Sequence, residues 1–276
     1  MTIERVVLNF SSKCSLQCPY CFIPFDGSKV KYQDVFRIIN RFAELNVKAI
    51  TFGGGDPFSY DFIQKLISEA RELGFVLHVD TNGIGLSEAD YVLLEDCQVL
   101  VGLSLDSHIQ GTHNISREDR ISYEKVMNHL ENLKRSSIRV KVNTIASKIN
   151  ASSLVNMAEI LCVYNIDIWS LYQFMPILVP ESVVETYQIS ESEFYDLVSN
   201  IHQLSLNYIF EPSTGSTRRN TYLFVSHDGK TYIHDPFSEF KYCVLGSIFD
   251  DSTIEKLFLI QSATIRENAR YRYLKH

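Results

Sequence analysis

Three cysteines stand within eight residues near the start of the chain: Cys14, Cys18 and Cys21, in KCSLQCPYCF, with the spacing C-x-x-x-C-x-x-C. Thiolates this close in sequence can converge on one metal centre, and iron–sulfur clusters favour such ligands. A cubane cluster has four irons, so three protein thiolates leave one iron open to another molecule, as an open catalytic metal site requires. Zinc and incidental thiols are the competing readings. A structural zinc wants four ligands, and His113 and Cys97 are distant in sequence but not ruled out by spacing. The second motif is TFGGGDPF at 51–58. Its glycines let a ligand approach the backbone closely, and Asp56 puts a carboxylate beside them, suited to a ligand ammonium group. The plain alternative is a tight strand-to-helix loop with an acidic helix start.

These residues need elements to position them. Short, β-branched apolar runs at 5–10, 48–53, 75–81, 98–105, 139–146 and 167–174 read as buried parallel strands. Helical spacing lies between them: Val35, Ile38, Ile39, Phe42 and Leu45 fall on one face of 33–46, and 60–73, 122–135 and 151–164 read alike. Six β–α alternations argue for a parallel sheet with helical crossovers. The cysteine triplet follows the first strand and the glycine motif closes the second. After Pro176 the rhythm changes. A helix is predicted near 189–205, capped by Ser190 with Glu193 three residues on. Asp228-Gly229 between apolar runs predicts a hairpin, and a short helix near 252–260 precedes a basic tail.

The chain has 276 residues, 45% hydrophobic and 21% charged, as a globular domain does. Its net charge is 26 − 33 = −7, a poor basis for non-specific nucleic-acid or membrane-surface binding. The start, MTIERVVLNF, carries no signal-peptide pattern. No stretch approaches ~18 consecutive apolar residues, so no transmembrane helix is expected. The expected compartment is the reducing cytoplasm, where six cysteines are thiols, metal ligands or catalysts before they are disulfides.

The triplet with an aromatic, Tyr20, before its third cysteine, followed by Gly54-Gly55-Asp56-Pro57, resembles the radical S-adenosylmethionine (SAM) superfamily over about residues 5–176. The resemblance implies an α/β fold with a partial (β/α)6 TIM-like barrel, one [4Fe–4S] cluster on Cys14, Cys18 and Cys21, and reductive cleavage of SAM to a 5′-deoxyadenosyl radical that abstracts a substrate hydrogen. It implies a one-electron donor such as flavodoxin or ferredoxin. Gly54, Gly55 and Asp56 resemble the Gly-Gly-Glu motif that holds the methionine amino group, with Asp in place of Glu. Ser104, Asp106 and Asn143 resemble ribose or carboxylate contacts, and Arg117 the arginine that meets the ligand carboxylate. Thr81-Asn82-Gly83 resembles a recurrent third-strand ending, and Met175 with Pro176 the segment that passes the adenine.

The resemblance divides the chain into a core at 1–180 and a small α+β extension at 181–276. Around Cys243 the extension is similar to SPASM/twitch modules, here without an auxiliary cluster and expected to cover the barrel mouth. Cys97 and Cys162 read as buried structural thiols. Short length and a lone cluster resemble viperin-type nucleotide dehydratases, and Lys141 with Asn143 in VKVNT fits them. The sixth strand departs, with Ile168 and Ser170 where viperin-like proteins carry basic phosphate contacts. Arg218 and Arg219, in STGSTRRN, are able to bind phosphate oxygens bidentately. With Lys141 they are the expected contacts of a phosphorylated small molecule, most simply a nucleotide. The alternatives are a peptide- or protein-modifying enzyme of the superfamily, including a glycyl-radical activase, and a non-enzymatic metal-binding module.

Overall fold

The computed structural model describes residues 3–11, 13–23, 28–218, 222–234 and 241–264, with side chains to residue 257. Its frame is the expected β–α series: β1 (Arg5–Ser11), α1 (Tyr32–Glu44), β2 (Ala49–Gly54), α2 (Ile63–Glu72), β3 (Val76–Thr81), α3 (Tyr91–Asp96), β4 (Leu100–Ser104), α4 (Gln110–Arg117), α5 (Ser122–Leu133), β5 (Arg139–Ala146), α6 (Leu154–Leu161) and β6 (Ile168–Gln173). All neighbouring strands from β1 to β6 pair in parallel. β1 is buried along its whole length, and α1 turns Val35, Ile38, Ile39 and Phe42 into the core. The parallel β1–β6 series with its helical crossovers makes this an α/β fold consistent with the expected partial TIM-like barrel.

The last third adds α7 (Glu181–Tyr187), α8 (Glu191–His202), β7 (Ile209–Ser213), α9 (Gly215–Arg218), β8 (Phe224–Ser226), β9 (Lys230–His234), β10 (Tyr242–Ser247) and α10 (Asp251–Thr264). The expected cap of α8 is present: Ser190 Oγ accepts from the Glu193 backbone N–H, and Glu193 reaches back to Ser190 N at 2.7 Å. So is the hairpin, with Gly229 at φ +83° between β8 and β9. Sequence reasoning missed β7 and β10. β7 pairs in parallel with β6 and β8 in parallel with β1, so the described sheet runs β10-β9-β8-β1-β2-β3-β4-β5-β6-β7. The extension thus lengthens the sheet at both edges. Trp169 lies on the helix-facing side of β6, fully buried against Tyr208 and Phe210. The basic tail after residue 264 lies outside the described residues.

Candidate functional site

A cavity of about 270 Å³ opens at the carboxyl ends of the parallel strands, where active sites of barrel folds sit. Cys14, Cys18 and Cys21 all border it, with Tyr20, Gly53, Gly54 and Gly55, Ser104, Arg117, Asn143 and Met175. Two motifs far apart in sequence meet here through main-chain bonds: the Gly55 N–H donates to Ser11 O at 2.6 Å and the Asp56 N–H to Lys13 O at 2.7 Å.

The three thiols suit a metal cluster. Cys14 Sγ accepts from Leu16 N and Asn82 Nδ2, both at 3.4 Å. Burial raises all three thiols, Cys18 to about 12. Such thiols stay protonated until a cation deprotonates them by coordination. All three border one cavity, as ligands of one cluster must. The remaining cysteines do not border the cavity. Cys97 is buried behind α3, Cys162 follows α6 and contacts Ala158 O at 3.6 Å, and Cys243 lies in β10.

Asn143 and Arg117 stand ready for a bound ligand. Asn143 Nδ2 donates to Asp80 Oδ1 at 2.6 Å, while its Oδ1 is buried without a hydrogen-bond partner. Arg117 Nε lies 2.9 Å from Asp106 Oδ2, and its guanidinium sits 5.9 Å from the Tyr20 ring centroid. Burial disfavours the Arg117 charge, but Asp106 more than restores it, so Arg117 stays protonated.

Other expected residues take different places. The Asp56 carboxylate does not border the cavity: Oδ1 accepts from Phe58 N at 3.0 Å, and Oδ2 accepts from Thr81 Oγ1 and Asn82 N, both at 2.8 Å. It caps the turn Pro57–Ser59 and ties β2 to the end of β3, leaving the glycine backbone to face the ligand. Asp106 is likewise fully buried, receiving Tyr20 Oη and Ser116 Oγ beside Arg117, and Ile145 N at 3.0 Å on its other oxygen. Burial raises it, yet Arg117 and its other partners outweigh that and hold it below its usual range. It positions Tyr20 and Arg117 and makes no contact with the cavity. Lys141 is buried below Tyr172, with Nζ 3.2 Å from its hydroxyl, and does not border the cavity. Arg218 does border it, donating to Gln173 O with Cζ 5.1 Å from the Tyr172 ring centroid. Arg219 lies outside the described residues.

Sequence reasoning missed the cavity's polar floor. Arg5 donates to Thr51 Oγ1 at 2.8 Å and contacts His78 Nδ1 at 3.0 Å, and His78 Nε2 lies 3.0 Å from Asp80 Oδ1. Burial, opposed by Asp80, lowers His78 to about 4. For Asp80 burial is outweighed by His78, Lys141 and Arg5, so its carboxylate is held well below its usual range. The Asp80 side chain is 39% exposed, and what it is exposed to is the cavity. Gly102 makes room for this group, since a Cβ there would lie 2.8 Å from both Asn143 Nδ2 and His78 Nε2. The signal was present in VLHVDT: two ionisable residues alternate within an apolar parallel strand and so share one face.

Residues 8–161 match the family model described as the Radical SAM superfamily. The chain belongs to the radical SAM superfamily. It is a radical SAM enzyme, and its cofactors are a [4Fe–4S] cluster and SAM, which require a reductant and a substrate besides. Among similar proteins is an S-adenosylmethionine-dependent nucleotide dehydratase of Flammeovirga pacifica, 28% identical over 83% of this chain and 82% of that one. Another of that description, from Lacinutrix mariniflava, is 22% identical over 83% of this chain, which spans half of its length. A GTP 3′,8-cyclase of Petrotoga mobilis is 24% identical over 71% of this chain and 64% of that one. Radical SAM structures share the fold: anSMEcpe with bound AdoMet and the Cp18Cys peptide has a TM-score of 0.73 at 18% identity, covering 99% of this chain and 82% of that one. Streptococcus suis SuiB bound to S-adenosylmethionine has a TM-score of 0.73 at 14% identity, covering 93% and 66%.

Proposed function

We propose that this chain is a nucleotide-modifying radical SAM enzyme of the dehydratase type. The observation that carries the reading is the charge of the cavity. Arg117 is balanced by Asp106, and besides it Arg5 and Arg218 border the cavity against Asp80, the one carboxylate among the described residues that does so. In a chain of net charge −7 this is a local excess of positive charge suited to an anionic substrate. The nucleotide dehydratase and GTP cyclase relatives support the same class. The peptide-bound neighbour speaks to fold alone, at 18% identity.

In this reading Cys14, Cys18 and Cys21 hold the cluster. The backbone of Gly53–55 takes the ammonium end of SAM, Arg117 faces its carboxylate, Ser104 and Asn143 its ribose, and Tyr20 and Met175 its adenine. When bound, the cluster supplies one electron for reductive cleavage of SAM, yielding the 5′-deoxyadenosyl radical that abstracts a substrate hydrogen. The protein's own work is positioning and exclusion. Leu16, Ile145, Phe174 and Ile177 make apolar walls that keep water from the reacting atoms. Asn143 Oδ1, buried and unpartnered, accepts from a ligand hydroxyl. Arg218 and Arg5 meet the phosphates. A one-electron donor such as flavodoxin or ferredoxin completes the system, and a reducing cytoplasm suits three cysteines kept out of disulfides for a cluster. No helix among the described residues is long and apolar enough to cross a membrane.

The test is anaerobic reconstitution followed by incubation with SAM, a reductant and each nucleoside triphosphate. Formation of 5′-deoxyadenosine, stimulated by one nucleotide and accompanied by a product lighter by one water, is the expected result. If no nucleotide stimulates it and a peptide does, the nucleotide reading fails and the peptide-modifying alternative takes its place.

A further inference from the structure

The cavity has a wall that neither cluster nor cofactor binding uses. Phe22, immediately after the third cysteine, lines it together with Tyr222, Phe224 and His234 of the last third. The rings contact one another: Phe22 to Phe224 at 6.3 Å, Phe22 to His234 at 6.1 Å and Phe224 to His234 at 5.2 Å between centroids. Tyr242 stacks behind His234 at 5.5 Å, and its hydroxyl donates to Phe22 O at 3.0 Å, fixing the cysteine loop to β10. Phe22 and Tyr222 are only partly buried, so aromatic surface remains on the cavity side.

His234 is the unusual member. It is 5% exposed and borders the cavity; the Arg218 backbone approaches one ring nitrogen, and neither nitrogen makes a hydrogen bond of full ordinary geometry with the described residues. Buried polar atoms are nearly always paired, so the nitrogen not facing Arg218 has a partner to gain from a ligand in the cavity. Burial, then the nearby Arg218 charge, push His234 down to about 4, against a smaller opposite pull from the Arg218 backbone. The ring is therefore neutral at physiological pH and offers one donor and one acceptor. Cationic groups flank the wall: Arg5 Cζ is 5.9 Å from the Tyr222 ring centroid, and Arg218 borders the same cavity.

We infer that this wall is the nucleobase subsite of the substrate: the base stacks on Phe22 and Tyr222, which the buried Phe224 backs, His234 pairs its polar edge, and the phosphates run toward Arg5 and Arg218. The inference rests on the nucleotide reading above and assigns it a place and a selectivity. A ring that stacks on aromatic side chains binds whatever its identity, whereas a neutral imidazole at its edge discriminates between bases.

The test is equilibrium dialysis of the anaerobic, cluster-loaded protein with SAM present, against each nucleoside triphosphate and against inorganic tripolyphosphate. Wild type is expected to bind at least one nucleotide more tightly than tripolyphosphate. Tyr222→Leu should loosen that nucleotide by about 5- to 150-fold while tripolyphosphate binding stays unchanged. His234→Phe keeps the ring and removes both nitrogens; it should level the differences between bases while SAM affinity is unaltered. Since Tyr222 also packs against the apolar cluster of Val7, Phe224 and Tyr232, His234→Phe carries the inference if the leucine variant fails to load its iron–sulfur cluster. Nucleotides that bind wild type and His234→Phe with the same ranking overturn the subsite and leave the nucleotide function standing. Loss of SAM affinity in His234→Phe overturns it too, by assigning the wall to the cofactor. Wild type that binds no nucleotide overturns both readings.

Discussion

Asp56 occupies the place of an acid expected to hold the cofactor, but its oxygens serve Phe58, Thr81 and Asn82 instead. Its work is therefore read in stability. In Asp56→Asn one oxygen is exchanged for an amine that faces donors, at a cost of about 1–3 kcal/mol. Burial pushes the Asp56 carboxyl up to about 6, above the ~4 of an unfolded chain. Between those values the folded state binds the extra proton, so this group's contribution to stability rises as pH falls from about 6 to about 4 and is lost as pH rises through 6. The gap in unfolding temperature between wild type and Asp56→Asn should accordingly widen from pH 7 to pH 5; an unchanged gap would mean that the carboxyl titrates normally. The cysteines divide as sharply. Alanine at Cys14, Cys18 or Cys21 should abolish cluster retention, whereas alanine at Cys97, Cys162 and Cys243 together should leave about four irons per chain. Iron assay decides, and a marked loss in the triple variant would sink the single-cluster reading.

At the scale of the element, Gly54 ends β2 with φ +112°, and a Cβ there would lie 2.5 Å from Ser11 O and 2.8 Å from Ser11 N. Gly54→Ala must push the end of β1 away from β2, and with it the loop that begins the cysteine triplet. We expect a loss of roughly 1–3 kcal/mol and poor cluster loading. Ser190→Ala removes only a cap remote from the cavity, and should cost about 1 kcal/mol with loading intact. Urea midpoints and the cluster absorbance separate the two. The six central strands and the main helices were legible because strands buried on both faces read as apolar runs. β7 was not, because IFEPS is an edge strand, partly exposed and carrying a proline. α4 was not, because QGTHNISR is almost wholly polar in sequence, its buried positions being His113, Ser116 and Arg117. In the site, the cysteine and glycine motifs were legible as local patterns. The burial of Asp56, the polar floor around Asp80 and the wall at His234 depend on partners far along the chain, which spacing alone does not reveal.

For the whole molecule, the last third is part of the sheet and the core. β8 covers the free edge of β1 and β7 that of β6, while Leu223, Val225, Ile233 and Leu257 join the main core. A chain ending at residue 180 would leave both edges open to pairing with other chains. Such a truncation should elute as an aggregate in size-exclusion chromatography; a monodisperse, cluster-binding fragment would show that residues 1–180 fold alone.

The bond from Tyr242 to the Phe22 carbonyl joins residues 220 apart in sequence. In synthesis the three thiols are made before the wall that encloses them. Until that wall follows, the triplet belongs to a half-built sheet with its cavity open on one side. Access for iron and sulfide is expected to be widest then, before β8 docks on β1. A finished but metal-free chain should accordingly take up its cluster more slowly than one whose last strands have yet to pair, a difference that the time course of iron uptake would show.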